Sequence, residues 1–302
     1  MLLRVEDLDG PRVKPGADQG AIEDLAWLGV DWDSGPVYQA TDLSPYHHAI
    51  DRLGRSGRVY RCWCTRGEIE QAQSAPHADD HELRYPGTCR PADVGSWGRG
   101  QDSAETSEPI ATGTWPPSLD PATSSGDSSG WTFRVVVPDA DVTVVDELAG
   151  SRQINVQQQI GDFVISTKSR LPAYQLAVVV DDTRQQVTEI VRGNDLLPST
   201  ARQQWLYRML DFGPLPRYWH LPLVVGPDGR RLAKRHGDSR LAHYRGQGVS
   251  PHRVVGLLAC WSGLNDDRRE MDANEFVERF DIEKMPKHPA VHTPTEDAWL
   301  ME

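Results

Sequence analysis

The first sixty residues alternate short apolar stretches with amphipathic ones, and this alternation restricts the fold more than any other feature of the chain. Leu2 to Glu6 reads as a buried strand. Asp18 to Leu28 reads as a helix, with Asp18 as its cap and Ile22, Leu25, Ala26 and Leu28 on the apolar side. "GVDWDSGP" reads as a loop. "SPYHHAIDRLGRSGRVY" then starts a second helix, with Ser44 as cap and Pro45 at the first helical position, ending near Gly57. Strand and helix in turn point to an α/β fold with a parallel sheet covered by helices. With 302 residues and 38% hydrophobic content, the chain can bury a core for one large domain or two modest ones.

The pattern breaks at Asp93 to Gly130, which is rich in Ser, Gly, Pro, Thr and Asp and has no apolar period; it reads as a long, mobile insertion. "WTFRVVVPDADVTVVDELAG" resumes β character. "YQLAVVVDDTRQQVTEIVRGNDL" reads as two apolar runs flanking "DDTRQQ", a hairpin-like unit. Ser199 or Thr200 is the expected cap of a helix through Met209. "HLPLVVGPDGRRLAKRHGD" gives a strand, a Pro-Asp-Gly turn and a basic loop. Ser250-Pro251 opens an amphipathic helix to Gly263, with Cys260 as a plain core residue, and another follows near Ala273 to Phe280. The last twenty residues, polar and Pro-rich, are expected to fray. No internal repeat is seen.

No run of about 18 apolar residues exists to span a membrane, and no basic-then-apolar start marks a signal peptide. The expected location is therefore the reducing cytoplasm, where clustered cysteines suggest metal binding. A net charge of -12 argues against a broad, non-specific nucleic-acid binder but leaves room for one RNA met by a local basic patch.

Four groups of residues carry chemistry. "RVEDLDGPR" places Arg4, Glu6, Asp7 and Asp9 as one wall of a binding site. "CWC" and "YPGTC" bring Cys62, Cys64 and Cys89 into play as zinc ligands. A structural zinc takes four N, S or O ligands, and the fourth here is His77, His81 or Tyr85. Idle buried cysteines would leave the same pattern. The basic run around Lys234, with Arg230, Arg231 and Arg235, suits a loop that closes on a polyphosphate. An ordinary solvated turn has the same composition. Arg192, just before Gly193 at the end of an apolar run, is placed to pair with a carboxylate or to form a structural salt bridge.

Taken in order, "LLRVEDLDGPRVKPG", "CWCT…YPGTC", "LPAYQLAVVVDD", "VTEIVRGNDLL" and "HLPLVVGPDGRRLAKR" resemble the glutamyl-queuosine tRNA(Asp) synthetases, short paralogues of glutamyl-tRNA synthetase. The resemblance covers nearly the whole chain apart from the insertion and the tail. It implies a class I, Rossmann-type catalytic domain with an inserted zinc-binding subdomain and a short helical C-terminal part. It implies activation of L-glutamate with ATP and Mg²⁺, and transfer of the glutamyl group to queuosine in the anticodon of tRNA(Asp). By the same resemblance, Glu6 holds the substrate amino group, Tyr174 contacts the same amino acid, and Arg192 pairs with a carboxylate. Arg231, Leu232, Ala233, Lys234 and Arg235 match the "KMSKS" loop, with Lys234 as the catalytic, ATP-contacting lysine and Ala233 where Ser is usual. Cys62, Cys64, Tyr85 and Cys89 match the family's zinc pattern, which favours Tyr85 as fourth ligand.

The implied organisation is a first catalytic part over 1–61 and an inserted zinc-binding, acceptor-type subdomain over 62–173. A second catalytic part over 174–250 and a helical end over 251–302 complete it. The family's opening "RFAPSPTG" strand and "HIGH" helix are not found ahead of Leu2. A chain of this sequence is therefore expected not to activate glutamate as it stands. A glutamyl-tRNA synthetase fragment, or a non-catalytic zinc- and tRNA-binding remnant, are the other readings.

Overall fold

A computed structural model describes residues 1–10, 13–72, 83–92, 130–232 and 239–302. The expected insertion, except Gly130, lies outside these residues, as do His77, His81, Ala233, Lys234 and Arg235.

The chain opens with β1 (Leu2–Val5), α1 (Ala17–Trp27), β2 (Ser34–Tyr38) and α2 (Ser44–Arg55). β1 and β2 pair in parallel, as the alternation requires. β1 is half-exposed rather than buried, because among the described residues it pairs with β2 alone. The expected "GVDWDSGP" loop is partly strand: Ser34-Gly35-Pro36 belongs to β2. Gly35 explains this, since a Cβ there would lie 2.4 Å from the Leu3 carbonyl oxygen, so only glycine permits the close pairing. Asp18 is not the cap of α1. Gly16, at φ 75°, precedes the helix, and Asp18 sits in the first turn, accepting a 2.9 Å hydrogen bond from the Tyr38 hydroxyl. Likewise Ser44 is already inside α2 and Leu43 precedes it.

A second region follows: β3 (Val59–Cys62), α3 (Arg66–Gln71), β4 (Thr132–Val135), β5 (Asp141–Val144), β6 (Arg152–Asn155), α4 (Val156–Gln159) and β7 (Phe163–Ser166). β3, β4 and β7 form an antiparallel sheet and β5 pairs with β6.

The segment from Tyr174 is the largest departure from expectation. It is not a hairpin. α5 (Tyr174–Arg184) is a helix, followed by β8 (Glu189–Gly193), α6 (Leu197–Met209) and β9 (Arg217–Leu221), with β8 and β9 parallel. Gln175 through Asp182 are all buried, so α5 runs through the middle of the core. A helix covered on all sides shows no 3.6-residue apolar period, and its Val-rich run imitates a strand. α6 begins at Leu197 with Pro198 in its first turn, two residues ahead of the expected caps. The Ser199 hydroxyl instead accepts hydrogen bonds from Gln175 (3.0 Å) and Arg202 (2.9 Å).

β10 (Val224–Val225), α7 (Leu241–Gly246), α8 (Pro251–Trp261), α9 (Ala273–Arg279), β11 (Ala290–Val291) and α10 (Pro294–Met301) complete the chain. The tail is not frayed. β11 pairs with β10, His292 and Leu300 are buried, and a Thr293/Glu296 capping box starts α10. Cys260, at the end of α8, is half-buried. Trp27 and Leu28 pack into the C-terminal helical core. Among the described residues no helix is long and apolar enough to cross a membrane.

No strand hydrogen bonds join the β1–β2 pair to the β8–β9 pair among the described residues. The β1–β2 side is held to the C-terminal end of α5, the helix that precedes β8. Asp181 accepts from Gln39 (2.8 Å) and the Tyr46 hydroxyl (2.7 Å), and Asp182 accepts from Arg4 (2.9 Å). Two buried carboxylates at a helix C-terminus oppose the helix dipole and need such donors.

Candidate active site and metal centre

At the N-terminus of α5, Tyr174 comes under the influence of both Arg192 and Glu6. Tyr174 is the first residue of the helix and 43% exposed. Partial burial pushes its phenol upward in pKa. The positive charge of Arg192 pulls it down, and the carboxylates of Glu6 and Asp182 raise it again. Glu6, Tyr174 and Arg192 therefore share one electrostatic neighbourhood, although they stand on β1's end, α5 and β8. The rest of the N-terminal wall is engaged elsewhere. Arg4 donates to Asp182, to Gln185 at 2.7 Å and to Glu6 at 3.1 Å. Asp7 accepts from the Ala40 amide at 2.8 Å.

Arg192 is held from behind. Its Nε donates to His220 Nε2 at 3.0 Å and its Nη2 to Thr200 Oγ1 at 2.8 Å, with its guanidinium carbon 5.6 Å from the Tyr218 ring centre. His220 Nδ1 lies 2.5 Å from Asp146 Oδ2, and both side chains are fully buried. Burial lowers the His220 pKa, and the Asp146 bond only partly opposes this against the Arg192 charge. Burial pushes the Asp146 carboxyl up, but hydrogen bonds from the Ala149 amide, the His220 ring and further amides outweigh it, and the net shift is downward. The pair is thus a neutral imidazole on an ionised carboxylate. Sequence reading missed Asp146, His220 and Thr200. The sequence marks Thr200 only as a helix cap, and Asp146 and His220 only as parts of "WTFRVVVPDADVTVVDELAG" and "HLPLVVGPDG".

Arg231 leaves β10's turn and donates to Asp195 Oδ2 at 3.0 Å, tying the start of the basic loop to the segment after β8. Leu232 follows, half-buried.

The cysteines gather as expected. The sulfurs of Cys62, Cys64 and Cys89 all lie within 4.8 Å of one another, close enough to hold a metal ion, with Cys64 and Cys89 3.6 Å apart. The Tyr85 oxygen joins them. It accepts from the Cys62 thiol at 3.4 Å and from the Cys89 amide at 2.7 Å. Burial and the neighbouring sulfurs push the Cys64 thiol up to about 11. Burial also raises the Cys62 thiol, but bonds from Tyr85 and Arg134 bring it net downward. The Arg134 guanidinium stacks 3.8 Å over the Tyr85 ring. Gly161, at φ 77°, lets the chain pass close behind Tyr85: a Cβ there would lie 2.4 Å from the Tyr85 carbonyl oxygen.

Between the cysteine cluster and Tyr174 lies a cleft of about 800 Å³. Arg66, Arg134, Lys168 and Arg202 line it, and no carboxylate does among its described residues. In a chain of net charge -12, that concentration of cations is local and one-sided.

The family model for the catalytic domain of class I tRNA synthetases (E and Q) matches residues 1–97 and 122–296. The chain is 41% identical to a glutamyl-Q tRNA(Asp) synthetase of Rhodopirellula baltica, over 96% of this chain and 86% of that protein. It is 39% identical to the one of Symbiobacterium thermophilum, over 98% and 86%. A glutamate–tRNA ligase of Halorhodospira halophila is 32% identical over 99% of this chain, which spans 57% of that enzyme. The fold matches a solved glutamate tRNA ligase of Elizabethkingia meningosepticum with a TM-score of 0.72 at 22% identity, covering 99% of this chain and 61% of that one. The chain belongs to the class I tRNA synthetases of the E and Q type, among the glutamyl-Q tRNA(Asp) synthetases.

Proposed function

We propose that the protein is a cytoplasmic tRNA-modifying ligase that activates L-glutamate with ATP and transfers it to queuosine in the anticodon of tRNA(Asp). The observation that carries this reading is that relatives at 39–41% identity over most of the chain are named for this reaction, and the electrostatic influence of Arg192 and Glu6 on Tyr174 at the start of α5 supports it. Glu6 is the counter-charge for the substrate ammonium. Tyr174 lies beside it, and Arg192 pairs with a substrate carboxylate. The reacting carboxylate attacks the α-phosphate of ATP and pyrophosphate leaves. The KMSKS-like loop Arg231–Arg235 brings Lys234 to the phosphates, where its charge offsets the negative charge that builds up in the transition state. Mg²⁺ accompanies the ATP. A nucleophile of the queuosine base then attacks the acyl carbon and AMP leaves. The cation-lined cleft supports an approach of the tRNA from that side.

Cys62, Cys64, Tyr85 and Cys89 suit one structural Zn²⁺. Tetrahedral bonds of about 2.3 Å to sulfur and 2.0 Å to oxygen put sulfurs about 3.8 Å apart and oxygen about 3.5 Å from sulfur. The 3.6 Å and 3.4 Å separations agree. Burial and the Cys62 thiol push the Tyr85 phenol upward, so the metal's charge must drive its deprotonation; the Cys89 amide acts in the same sense as the metal, and Arg134 offsets the surplus negative charge.

With protein purified from its own cells, ATP and labelled glutamate, the label is expected on the base of queuosine-containing tRNA(Asp). Whether the 302-residue chain by itself activates glutamate is tested separately, by glutamate-dependent ATP–pyrophosphate exchange against Lys234→Ala, which is expected to show no difference between the two. Label at the 3′ end of tRNA(Glu) would instead identify a glutamyl-tRNA synthetase activity. tRNA binding without ATP turnover would identify a binding module.

A further inference from the structure

We propose that His220 and Asp146 are positioning residues that aim Arg192 at its ligand, by fixing the imidazole tautomer that accepts from the guanidinium. This rests on the reading of Arg192 as the carboxylate-binding residue. A guanidinium has two forks able to meet a carboxylate: the side fork of Nε and Nη2, and the end fork of Nη1 and Nη2. Here the side fork is committed to the protein, Nε to His220 Nε2 and Nη2 to Thr200 Oγ1. The end fork, on the side shared with the Tyr174 phenol, is the edge assigned to substrate, so the orientation of Arg192 is decided by what stands behind it.

His220 can accept from Arg192 only if Nε2 carries no proton. Asp146 ensures this. Its two oxygens carry different loads: Oδ1 accepts from the Leu148 amide at 3.1 Å and the Ala149 amide at 2.6 Å, Oδ2 takes the His220 Nδ1 proton at 2.5 Å, and the His220 backbone amide reaches both, at 3.3 Å and 3.1 Å. The carboxylate therefore holds both a loop and the tautomer, and the two roles are separable. An asparagine at 146 can keep its oxygen on the loop amides. Its NH₂ would then face Nδ1 as a donor, push the proton to Nε2, and set it against the Arg192 N–H. The His220 backbone amide would keep only the oxygen at the Oδ1 place, the Nε2 proton would turn to Thr200 Oγ1 at 3.3 Å, and the guanidinium would lose its support. Arg192 would then rotate away from the ligand.

The full chain labelled with ¹⁵N-histidine should show His220 protonated at Nδ1, and Asp146→Asn should show it protonated at Nε2. By calorimetry, Asp146→Asn and His220→Asn should bind glutamate at least about tenfold more weakly, as for loss of one charge-assisted contact. ATP binding should be unchanged and the melting temperature should stay within a few degrees. His220→Gln, whose amide oxygen can replace Nε2 as acceptor, should recover most of the affinity. Wild-type glutamate affinity in Asp146→Asn and His220→Asn, beside a loss in Arg192→Ala, would overturn the proposal, as would a wild-type Nε2–H tautomer. If Asp146→Asn does not fold, the two His220 variants decide. If Arg192→Ala also keeps wild-type affinity, the assignment of Arg192 to glutamate has failed, and the proposal falls for that separate reason.

Discussion

At the scale of residues, Tyr85 shows how one side chain can join a site for reasons no local pattern reveals. Its ring is buried, Arg134 stacks on it, and its oxygen takes the Cys89 amide and the Cys62 thiol. Its backbone amide donates to the Ile160 carbonyl at 2.7 Å, beside the glycine that makes room for it. On ordinary zinc chemistry His77 or His81 is the commoner kind of fourth ligand, since tyrosine needs the metal's help to deprotonate near neutral pH, and only the family resemblance favours Tyr85. If Tyr85 is that ligand, Tyr85→Phe should keep the fold but hold zinc at least about tenfold less tightly, since even outer contacts of a metal site carry ten- to a hundredfold effects. Competition with a chromogenic chelator measures this. Unchanged zinc retention would remove Tyr85 from the ligand set.

Among the elements, those on the surface were legible and those inside were not. α2 and α8 have one apolar face each, and their extents agree with expectation to within two residues. α5 has no polar face because it has no solvent side, and "YQLAVVVDD" could be a strand as easily as a helix until its neighbours are known. The tail was misread in the opposite sense. Its polar composition suggested fraying, yet Tyr244 donates to Asp297 at 2.6 Å and the Arg253 guanidinium donates to the Trp299 carbonyl at 2.7 Å. α10 also carries a pH signature. Burial raises the Glu296 carboxyl, but hydrogen bonds from Thr293 and the charge of Arg268 bring it net below its ordinary 4.5. A carboxyl depressed in the folded state contributes stability above its ordinary value and loses it as pH falls through the folded value. Glu296→Gln should therefore melt about 2–4 °C lower at pH 7, and the gap should close toward pH 3. A gap that stays constant with pH would show that Glu296 contributes through packing rather than charge.

For the whole molecule, the described parts are joined by polar contacts as much as by the apolar core. Asp162 accepts from the Tyr60 hydroxyl, the Val137 amide and Arg90 beneath the cysteine cluster, and Asp181 and Asp182 bind β1 and α2 to α5. The cluster itself packs with Tyr60, Ile69 and Val136. A metal bound there stabilises the folded state by mass action. Chelation should lower the melting temperature of the protein by several degrees and should have no further effect on Cys64→Ser. Identical melting with and without chelator, in protein found free of metal, would show that the cluster is only packing. Much was settled locally: the strand–helix order of the opening, the Pro- and Gly-marked turns, the grouping of Cys62, Cys64 and Cys89, and the run of motifs that points to the family. These follow from short-range backbone preferences and from residue chemistry. The place of α5, the edge that Arg192 presents, and the role of Asp146 depend on partners far along the chain. Asp146 and His220 are 74 positions apart, and Arg4 and Asp182 178. A side chain's partner at such distance is decided by how the layers pack, and only the folded chain brings them within reach.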